Sequence, residues 1–512
     1  MSTDPIPSIF YVRRTGRLIL MEMKQVTPGV FLLTVLSLLV SCSTEQVTRK
    51  PTVELPDAFS ASGDEQTPKR WWKAFEDRKL NRLVQTSLSD NMDVKTAWDR
   101  LAQSMAVAKQ EGADLYPRVD GSFQYARDVT ESGTGGGGTI VGGSLVGGGT
   151  GGRRYSDEYT LNLNASYEVD VWGRVRAASE AAEQDLLASR ADVHATALSV
   201  SAQVTDVWYR LVEQRARLEL INEQIDTNED YLDLVRTRFQ RGAVSSSDVL
   251  QQQNLVTATQ TEKRRVKAEI ARLRHQLAVL QGAVPEQVSI PSRSSLPELA
   301  PRPETGIPSQ WIRKRPDIRR AYRQVKAADR ELASAIASRF PRINITPQFR
   351  ADAAIPSNLL ETWSARLATG VSYPLFNAGE LKAGQELAQA EKFEQIHQYT
   401  STVLTGIREV EDALSGEVQQ KKRVQDLRAQ IERSGRTIDL LLEQYRNGTT
   451  DYLRVLDEIR NRQQLQRDLL AARGQLVRTR IALYEALGGS WDLPLPDNVP
   501  EPLQEPYGTP AG

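Results

Sequence analysis

The sequence predicts a mostly α-helical chain with a membrane β-barrel portion, built from one helix–strand–strand–long helix–helix unit used twice. Three observations predict it. The two halves of the chain match in register, four segments alternate apolar and polar residues with period two, and proline-free stretches carry sustained heptads.

The duplication comes first because it organises the rest. Arg238-Phe239-Gln240-Arg241-Gly242 matches Gln444-Tyr445-Arg446-Asn447-Gly448 at an offset of 206, and the register holds without gaps from Ser166-Tyr167 on Ser372-Tyr373 to Gly282 on Gly488. An earlier block pairs at an offset of 224, with Asp93-Val94 on Asp317-Ile318 and Tyr116-Pro117-Arg118-Val119 on Phe340-Pro341-Arg342-Ile343. The difference of 18 residues falls in one loop, the glycine-dominated stretch 133–152 of the first half. Gly133-x-Gly135-x-x-Gly138 within it has the spacing of a dinucleotide fingerprint, but it does not join a strand to a helix, so it reads as a flexible loop.

At the N-terminus, Val30 to Val40 is an apolar run broken only by Thr34 and Ser37, preceded by Lys24. At about 11 residues it is too short for a membrane span and suits the apolar region of a signal peptide. Leu39-Val40-Ser41-Cys42 ends it, places the chain's single cysteine there, and resembles a lipobox, in which that thiol is acylated. Ser43 follows in place of an aspartate that would imply retention at the inner membrane, so the resemblance implies sorting to the outer membrane. The expected organisation is a signal segment 1–41, within which Met21 or Met23 is the expected true start, a lipid-anchored segment 42–70, a first unit 71–282, a linker 283–310, a second unit 311–489 and a tail 490–512. One lipid chain holds a protein loosely unless a second element joins it.

The four alternating segments supply that element. Tyr159 to Tyr167 is apolar or aromatic at every odd position and polar at every even one. Val119, Gly121, Phe123 and Tyr125 alternate with polar neighbours, as do Ile343, Ile345 and Phe349, and as do Trp363, Ala365, Leu367, Val371 and Tyr373. Strands of about ten residues with aromatic ends fit a barrel facing lipid outside and water inside, although half-buried strands of a soluble sheet share the pattern. Open sheet edges are not tolerated in hydrocarbon and bacterial barrels need at least about eight strands, so four strands per chain require an oligomer, a dimer or a trimer by arithmetic.

Arg174 to Gln240 contains no proline and reads as one helix of roughly 65 residues, about 100 Å long. Its heptads run through Val204, Leu211, Leu218, Ile225, Leu232 and Phe239, with Val193, Val200, Val207, Ile221 and Val235 completing the seam. The second half keeps Val403, Val410, Val424, Ile431, Ile438 and Tyr445. Turns at Gly242 and Gly448 lead into return helices of about 33 residues. Segments near 80–115 and 311–339 predict helices of similar length, so that two short helices stacked end to end match a long one, as in the wall of a tube. A plain coiled-coil scaffold would explain the heptads but not strand pairs inserted at the same place in both halves.

Bulk composition excludes several classes. Lys+Arg and Asp+Glu are each 65, so no basic footprint for nucleic acid exists. With one cysteine and only His194, His275 and His397, a clustered zinc site is not available, and each histidine reads as a solvated helix residue. Nucleophile elbow, metal spacing and phosphate loop are absent, so no enzyme and no cofactor is expected.

Trp71-Trp72-x-x-Phe75 with Leu80, and Arg315-Pro316-Asp317-Ile318-Arg319-x-Ala321 at the opening of the second half, resemble signatures of the TolC/OprM-like outer membrane factor family in its lipoprotein branch. The resemblance covers Trp71 to Leu493. It implies a homotrimer whose twelve strands form an outer-membrane barrel continuous with a long periplasmic α-helical barrel, working as the exit duct of a tripartite efflux pump for small molecules such as drugs or toxic compounds. A duct of a type I protein secretion system is the alternative within the same fold. Implied partners are a periplasmic adaptor and an inner-membrane transporter of the RND type. The family's periplasmic gate corresponds here to Leu453, Asp457 and Arg460, which at i, i+4 and i+7 share a helix face; the first-half equivalents Ser247, Gln251 and Asn254 are uncharged. The tips Arg241-Gly242-Ala243-Val244 and Asn447-Gly448-Thr449-Thr450 resemble the turns that dock the adaptor.

Overall fold

The computed structural model describes residues 55–65, 68–131, 153–285, 295–488 and 493. Cys42, the signal segment and the glycine-rich loop 133–152 lie outside the described residues. Each unit contributes a 22-residue helix (α2, Met92–Ala113; α5, Pro316–Ala337), two strands (β1, Arg118–Glu131, and β2, Arg153–Glu168; β3, Arg342–Ala353, and β4, Trp363–Ser372), a 67-residue helix (α3, Arg174–Gln240; α6, Glu380–Arg446) and a return helix (α4, Ser246–Leu280; α7, Tyr452–Leu487). A further helix, α1, spans Arg78–Asp90. Glycines in the left-handed region mark the same three junctions in both units: Gly173 and Gly379 open the long helices, Gly242 and Gly448 end them, and Gly282 and Gly488 end the return helices. Gly282 admits no side chain besides, because a Cβ there would stand 2.4 Å from the Asp90 carbonyl oxygen.

The short helices differ from expectation. The span 80–115 is not one helix but two, broken at Asn91, whose extended backbone (ψ 134°) ends α1 while its side chain accepts hydrogen bonds from the amides of Asp93 and Val94 to cap α2. In the second unit Arg315 holds the same place with ψ 122°, the conformation a following proline favours, and Pro316 starts α5. Helices of 22 residues result where about 33 were expected. Both break residues do one further job. Asn91 Nδ2 donates to the Leu280 carbonyl at 3.0 Å and Arg315 Nη1 to the Ala486 carbonyl at 3.2 Å, positions related by the repeat. Each bond joins the start of a short upper helix to the end of a return helix, so the two stack end to end beside the long helix.

The heptads mark what is buried. Val193, Val200, Val204, Val207, Leu211, Ile221 and Val235 of α3 and Val403, Val410, Val424 and Ile438 of α6 are all buried, while Phe239 at the tip is 46 % exposed. A belt around the middle of α3 carries the largest cluster, in which Trp71, Trp72, Phe75 and Leu80 pack on Val204, Trp208 and Leu211. Burial of each such side chain contributes about 1.5–3 kcal/mol. Asp77 joins the layers by capping α1 and accepting from Trp208 Nε1 at 3.0 Å. In the second unit the belt contains a charge pair, Glu417 and Arg480, 0 % and 1 % exposed and bound through two parallel hydrogen bonds of 2.8 and 2.9 Å. The histidine expectation needs correcting at one position. His275 and His397 are exposed, but His194 is half-buried, and burial followed by the charges of Arg190 and Arg319 pushes its pKa down to about 3.

The strands form one antiparallel sheet in the order β1-β2-β3-β4. Its register puts Phe123 opposite Leu161, Leu163 opposite Phe349 and Phe349 opposite Ala365, so every odd-numbered apolar residue shares one face. Asn162, Arg350, Gln348 and Arg366 line the other. Val119, Phe123, Leu163, Trp363, Leu367 and Val371 are exposed on the apolar face. The β2–β3 ladder is interrupted opposite Pro347, which lacks the N–H that β2 would receive, whereas the β3–β4 ladder runs through Pro347↔Leu367 unbroken. Among the described residues no helix is long and apolar enough to cross a membrane.

Candidate functional site

The site is assembled where the two helical hairpins end. Each long helix closes in the same turn. Gly242 N–H bonds to the Phe239 carbonyl and Ala243 N–H to that of Arg238, both at 2.9 Å; Gly448 and Thr449 repeat this on Tyr445 and Gln444 at 3.1 and 2.9 Å. This paired pattern satisfies the last carbonyls of a helix and requires a left-handed residue, here glycine. The return helices then start on side-chain caps: Ser245 and Asp248 reciprocally in the first hairpin, Asp451 accepting from the Arg454 amide in the second. Arg241, Gly242, Ala243, Asn447, Gly448 and Thr449 are exposed, and Val244 and Thr450 are half-buried.

Behind the turns the two hairpins share a core of Val235, Leu255, Tyr445, Tyr452, Val455, Leu456 and Ile459. With Tyr452, Val455, Leu456 and Ile459 turned inward, the opposite face of α7 presents Leu453 (45 % exposed) and Asp457 outward, and Arg460 lies half-buried one turn on. Arg460 Nη1 stands 3.8 Å from Asp457 Oδ1, and their side chains are 41 % and 64 % exposed. A pair that open to water contributes at most about 1 kcal/mol. The three sequence-predicted gate residues are thus brought to one surface but are not locked within the chain.

Two features escaped sequence reasoning. Arg238, at the end of α3, crosses to the other hairpin: its guanidinium lies 4.4 Å from the centre of the Tyr445 ring and donates to the carbonyls of Tyr445 and Arg446 at 3.1 and 3.2 Å. It closes the C-terminus of α6 from outside, where a cation is favoured. A buried amide seam then ties α3 and α4 to α7. Gln463 Nε2 donates to Asn228 Oδ1 at 2.7 Å, Asn228 Nδ2 to Thr259 Oγ1 at 3.1 Å, Gln252 Nε2 to the Asn228 carbonyl at 2.6 Å, and Tyr452 OH to Gln252 Oε1 at 2.9 Å. Asn228 and Gln252 are fully buried. Their only sequence signal is polar residues falling where the seam should be apolar.

Higher up, a cleft of about 800 Å³ opens between α3, α6 and α7, lined by Arg315, Asp317, Glu409, Arg478 and Glu485. Arg315 binds Asp317 at 2.8 Å and pairs with Glu409. Burial, then the nearby Glu409 carboxylate, pushes Glu485 up to about 7.

Comparison with known proteins places these features in context. The family model described as "Outer membrane efflux protein" matches residues 83–283 and again 307–489. The chain is 30 % identical over 429 residues to the pyoverdine export outer membrane protein OpmQ of Pseudomonas putida, covering 83 % of this chain and 89 % of that protein. It is 29 % identical to the toluene efflux pump outer membrane protein TtgC of Pseudomonas putida, over 82 % of this chain and 85 % of that one. Among solved structures, the outer-membrane channel OprN superposes with a TM-score of 0.77 at 27 % identity, covering 88 % of this chain and 99 % of OprN. The open-state MtrE outer membrane channel of Neisseria gonorrhoeae shares the fold with a TM-score of 0.73 at 24 % identity, over 88 % of this chain and 98 % of that one.

Proposed function

This chain belongs to the outer membrane efflux protein family, the outer-membrane exit ducts of tripartite pumps, and from that premise we propose that it works as a lipid-anchored homotrimer gated by Leu453, Asp457 and Arg460. Its place is the outer membrane, where it serves an adaptor and an inner-membrane transporter. The finer reading makes that transporter of the RND type and the cargo small molecules, since named relatives export pyoverdine and toluene. The duct lowers no chemical barrier; we assign it no catalysed reaction.

The observation that carries the gate is the exposed face of α7. In one chain Asp457 and Arg460 have little to hold them, and Leu453 is an apolar side chain left in water. Three copies around an axis would bring these faces together at the tip: leucines closing the opening, carboxylates repelling one another, and arginines of the ring neutralising them. Adaptor docking at Arg241-Gly242-Ala243-Val244 and Asn447-Gly448-Thr449-Thr450 would bias that balance, because both tips share one core with the gate helix. Cys42 would anchor the chain while the apolar face of the sheet enters the lipid. The test is entry of a large hydrophilic antibiotic such as vancomycin into cells producing Asp457→Ala plus Arg460→Ala. The variant should sensitise the cells, with wild type protecting them; equal resistance at equal outer-membrane levels would remove the gate from these residues.

A further inference from the structure

Behind the gate residues the helices enclose a second site whose chemistry is set by arginine. Arg460, Gln464 and Arg467 follow Leu453 and Asp457 along α7 in alternating steps of four and three residues, so all five share one helix face. Where that face meets α3 and α4 it borders a cavity of about 340 Å³, lined also by Arg217 of α3 and by Glu262 and Arg265 of α4. Thr259 and Gln463 of the amide seam line it too, so its walls are tied together.

Four guanidiniums thus face one carboxylate, and that carboxylate is already taken. Glu262 receives Arg265 through a fork, Nε to Oε2 at 2.7 Å and Nη2 to Oε1 at 2.6 Å, and also Arg217 Nη2 at 2.8 Å. Arg217 Nε is buried with no hydrogen-bond partner among the described residues. Arg467 reaches only neutral oxygens, Gln224 Oε1 at 2.7 Å and Gln464 Oε1 at 3.0 Å, while Asp468 is engaged by Gln464 Nε2 at 2.8 Å. Burial pushes the Arg467 guanidinium below the usual arginine range; Glu262 opposes that shift and the charge of Arg217 reinforces it. The ion pair of Arg460, to Asp457 at 3.8 Å, is longer than a hydrogen bond.

The fold does not require these charges. In the other unit the equivalents of Arg460, Gln464 and Arg467 are Asn254, Ala258 and Thr261, and that of Arg265 is Ala471. The same helical hairpin is built with neutral side chains at each of these places, so the cationic pocket is an addition to the scaffold.

Resting on the exit-duct reading above, we propose that this pocket binds an acidic small molecule on its way to the gate, holding its carboxylate or other oxyanion among Arg217, Arg460 and Arg467. Arginine forks match the planar geometry of an oxyanion, and hydrogen bonds between two charged groups are the strong ones. The volume lies at the lower end of the range for small-molecule sites. It therefore suits an organic acid bearing more than one negative charge better than a bare inorganic anion. Arg460 belongs to both sites, so an occupant of the pocket competes with Asp457 for the same guanidinium.

Titration calorimetry on the full-length protein, in a neutral detergent at low ionic strength, tests the pocket. Citrate is the probe, triethyl citrate its uncharged counterpart and inorganic sulfate the bare oxyanion. Citrate should bind, the ester should not, and sulfate should bind more weakly than citrate by roughly tenfold or more. Arg467→Gln should weaken citrate by roughly tenfold or more, as the loss of a charged donor implies, whereas Arg423→Gln, exposed on α6 and outside the pocket, should leave it unchanged. Gln464→Glu keeps every arginine and fills the pocket with its own carboxylate. It should weaken citrate as much while the helices melt at the wild-type temperature, so a folding defect cannot imitate the result. Citrate bound equally by both pocket variants and wild type, or the ester bound as tightly as citrate, overturns the pocket. Sulfate matching citrate assigns the site to free inorganic anions and overturns the organic acid. The duct is read separately, from bilayer currents of Asp457→Ala plus Arg460→Ala. Currents from that variant with no citrate bound by wild type remove the pocket and leave the duct; citrate bound by a protein that never conducts removes the cargo role along with the duct.

Discussion

Replacing Glu417 by leucine removes the acceptor from a buried arginine, and the structure fixes what should follow. Arg480, 1 % exposed, would keep the carbonyls of Ala300 and Pro301, at 2.9 and 3.0 Å, and the Tyr484 side chain, but no counter-charge for a full positive charge. Leaving one member of a buried pair uncompensated costs about 3–5 kcal/mol. Arg480→Leu should cost less, because Lys421 at 2.8 Å and Arg302 at 3.7 Å still face the carboxylate. Leu211 occupies the repeat-equivalent position of Glu417 and is fully buried, so this site in the fold accepts leucine. Glu417→Leu plus Arg480→Leu should therefore recover much of the loss, short of the roughly 1–3 kcal/mol for carbonyls left without a donor. Helix melting at 222 nm in detergent, with unfolding half-lives compared at one temperature, reads this cycle. At about 1 °C per kcal/mol for a chain this large, Glu417→Leu alone should melt about 4 °C early. Losses that simply add in the double variant would refute the reasoning, since they would mean that neither partner was there to neutralise the other.

Further predictions concern pH and the tip. Burial opposes ionisation of Glu417, but hydrogen bonds from Arg480 and Lys421 overcome it and hold the carboxyl at about 2. Its folded pKa is depressed, so its contribution, on the order of 3 kcal/mol, is present above about 4.5 and lost as pH falls toward 2; the acid sensitivity of melting should disappear from that window in Glu417→Leu plus Arg480→Leu. Glu485 has the opposite sign. Its folded pKa, raised to about 7, makes it a liability that grows as pH rises from about 4.5 to 7, so Glu485→Gln should raise the melting temperature at pH 8 and leave it unchanged at pH 4. Gln463→Leu should leave Asn228 Oδ1 without a donor and cost about 1–3 kcal/mol, read as faster hydrogen exchange in α7 than in α3; unchanged exchange in α7 would mean the amide seam does not hold the hairpins together.

Much of this fold was legible because it is periodic. Period two placed Tyr159–Tyr167 and its three companions in strands, and the absence of proline with sustained heptads gave the long helix from Arg174 to Gln240 with the observed ends. What periodicity could not read was a break made by one residue. Asn91 interrupts a helical pattern without proline or glycine because its side chain caps the next helix and reaches the Leu280 carbonyl, a contact 189 residues away. Leu453, Asp457 and Arg460 were singled out by the family resemblance, and their i, i+4, i+7 spacing then placed them on one face of α7, opposite the buried apolar face. Arg238 and the Asn228–Gln463 pair were not, since a surface arginine and a buried amide look alike in sequence until the partner strand of chain is in place. His194 was misread for the same reason: its helix face is covered by elements far away in the chain.

On the function proposed above, copies of this chain enclose a duct closed at its tip by Leu453, Asp457 and Arg460. Current through single molecules of the purified protein in a planar bilayer tests it most directly. Wild type should stay nearly silent, and Asp457→Ala plus Arg460→Ala should pass long-lived currents of uniform size; silence from both, with the protein inserted and assembled, would contradict the account.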